Sequence, residues 1–238
     1  MSPLYLFLYT FLSVGMRPSY IEHGNQNRPE IALTYDADMT PSMLSKLQSG
    51  QVKSWYNQKI IDTLISKKVP ATIFLTGMWA ESYPDISKSI ANNSLFEIAN
   101  HSYSHPAFTS TCFGLSPAAN KEDEFSKSQQ TITQITGVRP TLFRFPGGCK
   151  AESDIKLANK YGLTVVGWND ASGDSFNTDR QSIINQIKKN THNGSIIVFH
   201  LHGNRNAPLS GDVLPEVIDY LRNKHFKFVK VSDLIAKL

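Results

Sequence analysis

The sequence predicts an α/β fold built on a parallel sheet or barrel, for three reasons. From Pro29 onward, short apolar runs alternate with amphipathic stretches, as strands and helices do when they take turns along a chain. The runs are apolar throughout, as strands covered on both faces must be. The chemically active residues cluster just after the runs end, on the rim where parallel α/β folds place their sites.

Each element follows from its residues. Ile31 to Tyr35 is a β-prone run ending in acidic residues. Thr40 to Ser54 is polar and serine-rich and reads as a loop. Trp55 to Lys68 carries Ile60, Ile61, Leu64 and Ile65 at helical spacing, and Pro70 stops it. Ala71 to Thr76 is a second strand, Met78 to Ala91 a helix broken near Pro84, and Phe96 to Asn100 a third strand. Ser116 to Thr136 reads as a helix with Phe125, Ile132 and Ile135 inward, and Thr141 to Phe145 as a fourth strand. Glu152 to Tyr161 is a helix closed by Gly162. Leu163 to Trp168 is a fifth strand, Arg180 to Asn190 a helix, and Gly194 to Phe199 a sixth strand ending at His200. Pro215 to Asn223 is a helix and Phe226 to Val229 the last strand.

The 238 residues suit one domain with a short appendage. With 40% hydrophobic and 18% charged residues the chain is ordinary for a globular protein. The net charge of +4 is scattered, without a Lys/Arg run, so nucleic acid is not an expected partner. It supports only a weak pull toward anionic surfaces. Residues 1–28 divide into an apolar run, Pro3 to Met16, and a polar linker, Arg17 to Arg28. The run is short for a membrane span and resembles the core of an export signal, although no Lys or Arg precedes it. It reads as an export or anchoring segment, which implies an extracytoplasmic location and membrane association through that segment. Residues 29–238 then form the folded domain. Cys112 and Cys149 lack metal-binding spacing and are either small core residues or one disulfide.

Five clusters carry chemistry. Asp36 and Asp38 follow the first strand and suit a base and a metal ligand. His101 and His105, four residues apart after the third strand, can turn both imidazoles to one ion from one face of a helix or turn. Arg144, before Pro146-Gly147-Gly148, can orient a carboxylate while the glycines let backbone N–H groups approach a substrate. Asp174 follows the fifth strand in the stretch from Trp168, where it can hold an arginine. His200 ends an apolar strand, and His202 points the same way if the strand continues. Each cluster alone has a plain structural explanation: an Asx turn, a solvated loop, a core histidine.

In this order the clusters resemble the motif series of the polysaccharide deacetylases (carbohydrate esterase family 4), from about Arg28 to the C-terminus. His101-Ser-Tyr-Ser-His105-Pro106 is the most specific match. The resemblance implies a distorted (β/α) barrel and one divalent ion, commonly zinc, held by an Asp and two His. It implies removal of acetyl groups from N-acetylated sugars in a chitin-like, peptidoglycan or envelope glycan. Carried over, His101, His105 and Asp38 are the metal ligands and Asp36 the base that takes a proton from the metal-activated water. His200 is the acid, and Arg144, held by Asp174, orients the base. Gly147 offers an oxyanion N–H, and Leu163, Trp168 and Ile197 line the acetyl pocket or the core beneath it. The family's usual metal-binding position is Ala37 here, so Asp38 is expected to reach the ion through a local backbone shift. Gly147 and Ser175 stand where the family has aromatic residues, which suggests a wider or different sugar subsite. Two rival readings remain: a catalytically inactive glycan-binding barrel, and an amidohydrolase for a small non-sugar amide.

Overall fold

The computed structural model describes residues 20–238; the apolar run from Pro3 to Met16 lies outside them. Every named strand pairing is parallel. The strands are β1 (Tyr20–Ile21), β2 (Glu30–Ala37), β3 (Ala71–Leu75), β4 (Phe96–Asn100), β5 (Leu142–Phe143), β6 (Thr164–Val166), β7 (Asp170–Ala171), β8 (Ile196–His200) and β9 (Lys227–Phe228). They form one sheet in the order β1-β6-β5-β4-β3-β2-β8-β7, with β9 on the first residues of β2. A closed barrel would join β6 to β7. Here β1 occupies that side of β6, so the sheet curls without closing and the barrel is distorted, as expected.

The helices are α1 (Pro41–Gln48), α2 (Gln58–Ser66), α3 (Gly77–Ser82), α4 (Pro84–Ala91), α5 (Lys121–Thr136), α6 (Glu152–Lys160), α7 (Arg180–Asn190), α8 (Ser210–Asn223) and α9 (Val231–Ile235). In α2, Ile60, Ile61 and Leu64 are buried, each contributing about 2 kcal/mol of burial free energy. Asn120 caps α5 by accepting from the N–H groups of Glu122 and Asp123, and Gly137 ends it in a left-handed conformation. That helix starts at Lys121, later than the expected Ser116, because Asn120 is the cap.

Strand β2 is the axis of the fold, buried along its whole length. Leu33, Tyr35 and Ala37 face the main core with Ile73, Leu75, Ile197 and Phe199. Ala32 joins Phe74, Ala99, Val166 and Ile196 in a smaller core on the opposite, concave face. By strand alternation Thr34 and Asp36 continue that concave row toward the rim.

Three expectations change. Part of the predicted loop from Thr40 to Ser54 is α1, nucleated by Thr40, whose Oγ1 accepts from Met43 N–H, and by Pro41 at the first helical position. The sheet begins at Tyr20, inside the stretch read as a linker, where Tyr20 and Ile21 pair with Val165 and Val166. Residues Asp170–Ala171, read as loop, form β7 against β8.

Candidate active site

All the candidate residues sit at the carboxyl ends of the strands. The register accounts for this: Asp36 lies beside both Phe74 and His200, and Asn100 beside both Leu75 and Phe143. The strands therefore end level with one another. Asp36, Asp38, His101, His105, Gly147, Trp168, Asp174, His200 and His202 line one cleft of about 640 Å³.

Asp36 and Asp38 are on one side of the extended chain and Ala37 is on the other, fully buried in the main core. Simple alternation, not a displaced backbone, delivers Asp38 to the histidines. The Asp38 Oδ1 atom lies 3.4 Å from His101 Nε2 and 3.5 Å from His105 Nε2. These three residues offer donor atoms that all lie within 4.8 Å of one another. Ligands at about 2.0–2.1 Å from a tetrahedral ion stand about 3.3 Å apart, close to the two distances from Asp38 Oδ1, so the residues suit a small divalent ion. The imidazole chemistry agrees. His101 Nδ1 is 2.8 Å from the carbonyl of Arg144, to which it can donate, and Nε2 faces two carboxylates; burial disfavours a charge on this ring, but Asp36 and Asp38 outweigh it and raise it above its ordinary value. Two carboxylates facing Nε2 favour positive charge at this point, which a metal cation can supply. Burial pushes His105 down to about 4, against the attraction of Asp38. Burial alone would raise Asp38, but the imidazoles of His105, His202 and His101 outweigh it and hold the carboxyl well below its ordinary value.

The two histidines belong to a tight loop and not to a helical face. Ser102 and His105 both have positive φ, 72° and 58°, a costly conformation for such residues. Hydrogen bonds hold it. The Ser102 N–H donates to Asn100 Oδ1, and Asn100 Nδ2 donates to Ser128 and Gln129 on α5. Glu124, also on α5, accepts from the N–H groups of Tyr103 and Ser104.

Arg144 is completely buried. Its guanidinium lies 4.0 Å from the ring centre of Phe74 and donates to Asp36 Oδ1 at 2.7 Å, Thr34 Oγ1 at 2.8 Å and the Gly167 carbonyl at 3.0 Å. Asp36 is thus fixed through one oxygen, while the other, Oδ2, stands 3.6 Å from His101 Nε2. The expectation that Asp174 holds Arg144 fails. Asp174 instead accepts from Ser210 Oγ at 2.6 Å and from the N–H of His200 at 2.8 Å, and its Oδ1 lies 2.8 Å from His200 Nδ1. The strand order β2-β8-β7 puts the loop after β7 beside His200 and away from the arginine. Burial works against a charge on His200, but Asp174 outweighs it and raises the ring to about 10.

His202 is the residue whose importance the sequence underplayed. The strand ends at His200, yet the two rings stack with centres 5.7 Å apart, and His202 Nε2 reaches Asp38 Oδ2 at 3.0 Å. The doubled His-x-His at the end of β8 was the available signal. Leu163 and Ile197 belong to the core, whereas Trp168 lines the cleft and lies over Arg144, 5.5 Å from ring centre to guanidinium carbon.

Two other aromatic side chains stand at the cleft, Phe113 and Phe176, 89% and 70% exposed and both with positive φ. A Cβ on Gly147 would lie 2.6 Å from Cys112 Sγ and 3.2 Å from the Phe113 ring, and its own φ is +61°. The position has no room for a side chain, because the segment joined by the Cys112–Cys149 disulfide occupies it.

The family model for polysaccharide deacetylase matches residues 23–166. A peptidoglycan-N-acetylglucosamine deacetylase of Bacillus cereus is 30% identical over 91% of this chain and 72% of its own length. The crystal structure of the Bc1960 peptidoglycan N-acetylglucosamine deacetylase is similar at a TM-score of 0.77 and 27% identity, covering 92% of this chain and 94% of that one. A pseudoenzyme of Bacillus anthracis, BA3943, shares the fold at a TM-score of 0.74 and 21% identity, covering 92% of this chain and 69% of that one. With more than half of its length matched, the chain belongs to the polysaccharide deacetylase family, hydrolases of carbon–nitrogen bonds other than peptide bonds.

Proposed function

We propose that the protein removes acetyl groups from N-acetylated sugars of a glycan, with peptidoglycan the first substrate to test, using one zinc ion held by Asp38, His101 and His105. The observation behind this reading is the gathering of those three donors, a carboxylate fixed by Arg144 and an imidazole fixed by Asp174 around one cleft. When bound, the ion supplies Lewis acidity that polarises an amide carbonyl and makes water a nucleophile at neutral pH. Asp36 takes the proton of the attacking water, and Arg144 keeps its carboxylate aimed. The N–H near Gly147 donates to the oxyanion as the carbonyl carbon becomes tetrahedral. His200 gives its proton to the departing sugar nitrogen, which leaves as the amine.

An acetate-release assay on peptidoglycan and chitin oligomers tests this. Activity is expected with zinc or cobalt present, loss on chelation, and recovery when either metal is returned. A protein that binds zinc and releases acetate from neither glycan would be the inactive barrel instead.

The His200–Asp174 pair sets a pH dependence. Raised to about 10, His200 keeps its proton across the neutral range. The pair stabilises the fold fully below the unfolded histidine value of about 6.5, and that stability is lost as pH rises through about 10. Asp174→Asn removes the nearest opposing charge and leaves Asp38 and Asp36 alone to offset burial. The alkaline limb of kcat/KM is expected to move to lower pH, with a loss of about 10²-fold at pH 8. An unmoved limb would take His200 out of the acid role.

The location follows the same reading. A disulfide persists in an oxidising compartment, and glycans of the cell envelope lie there, so we place the protein outside the cytoplasm. Among the described residues no helix is long and apolar enough to cross a membrane. Membrane association therefore rests on the N-terminal segment.

A further inference from the structure

We infer that His202 fixes the carboxylate of Asp38 in the orientation that zinc requires, acting as a positioning residue for the cation site proposed above. Asp38 has two oxygens with different surroundings. Oδ1 faces His101 and His105 at 3.4 Å and 3.5 Å, while Oδ2 faces His202 Nε2 at 3.0 Å. One oxygen is thus presented to the cation and the other to a ring nitrogen.

The His202 side chain is buried, and neither of its ring nitrogens forms an aligned hydrogen bond; Nε2 stands 3.0 Å from Asp38 Oδ2, a small turn of the ring away from donating to it. A buried imidazole without a partner is costly, and Asp38 is the acceptor its Nε2–H can reach. The backbone holds it there. The Leu201 N–H donates to the Asp36 carbonyl, and the Leu201 carbonyl accepts from Asn57 N–H. His202 does not belong to the set of three residues whose donor atoms all lie within 4.8 Å of one another. It therefore acts through the carboxylate and not as a further ligand.

This arrangement suits the displaced aspartate. Asp38 lies beyond the last residue of β2, where no strand pairing restrains it. A monodentate carboxylate with a free second oxygen rotates, and a donor on that oxygen stops the rotation. His202, two residues past His200, supplies the donor from the neighbouring strand's extension.

Zinc titration of the metal-free protein tests the inference with a readout separate from hydrolysis. His202→Ala is expected to weaken zinc binding about 10–100-fold. His202→Gln, whose amide can donate to the same oxygen, is expected to remain within about threefold of wild type. The visible spectrum of its cobalt form should keep the wild-type bands. His202→Ala binding zinc as tightly as wild type overturns the inference, and so does His202→Gln as weak as His202→Ala. A changed cobalt spectrum in His202→Gln also overturns it, by placing His202 on the cation itself. Should wild type bind no zinc, the cation site and the inference fall together. A zinc-loaded wild type that releases no acetate removes the proposed activity and leaves this inference standing.

Discussion

Asp38→Ala is expected to reduce zinc content from near one ion per chain to a trace at micromolar metal, and to lower acetate release about 10³-fold. Metal analysis after gel filtration and the acetate assay measure the two effects. The reason is that one Asp38 oxygen meets both His101 and His105, so the substitution leaves two imidazoles where a catalytic zinc ordinarily has three protein ligands. Ala37 offers no substitute, since it points into the main core. The fold itself should survive. Asp38 lies at the rim, and its removal relieves the cost of burying a carboxylate. An Asp38→Ala protein that keeps its zinc would remove this residue from the coordination shell and leave Asp36 as the ligand.

Asp36→Asn should have the opposite profile: zinc retained and turnover lowered by about 10²–10⁴. The amide can still accept from Arg144 but cannot take a proton from water. It also strands a buried cation. Arg144 is fully buried with Asp36 as its ion-pair partner at 2.7 Å, so thermal unfolding should show a loss of about 3 kcal/mol. Zinc content, kcat and unfolding together separate the two aspartates. Loss of zinc in Asp36→Asn would make Asp36 a ligand.

The parts of this site that were legible in the sequence are those encoded within one segment. His101 and His105 announce themselves by spacing, and Asp36, Arg144 and His200 by following apolar runs. Strand alternation, which needs no tertiary information, already puts Asp36 and Asp38 on one side. What stayed hidden depends on which strands are neighbours. A loop carboxylate such as Asp174 carries no mark of its partner; only the placement of β7 next to β8 gives it to His200 and denies it to Arg144. The same holds for His202 and Asp38, and for Cys112 and Cys149, which are 37 residues apart. Among the elements, α1 was missed because its sequence is polar and only Met43 is buried. Strands β1 and β7, two residues each, are too short to show a period and exist only because β6 and β8 offer them an edge.

The crowding around Gly147 has a bearing on how such a protein diversifies. Beside Gly147, which carries no side chain, the cleft is lined by Phe113, from a segment cross-linked at Cys112. Changes in that loop can remodel what the enzyme admits while the groups that do the bond-breaking stay as they are. Substrate preference and reactivity are thus inherited on different stretches of polypeptide, and each is free to drift without the other.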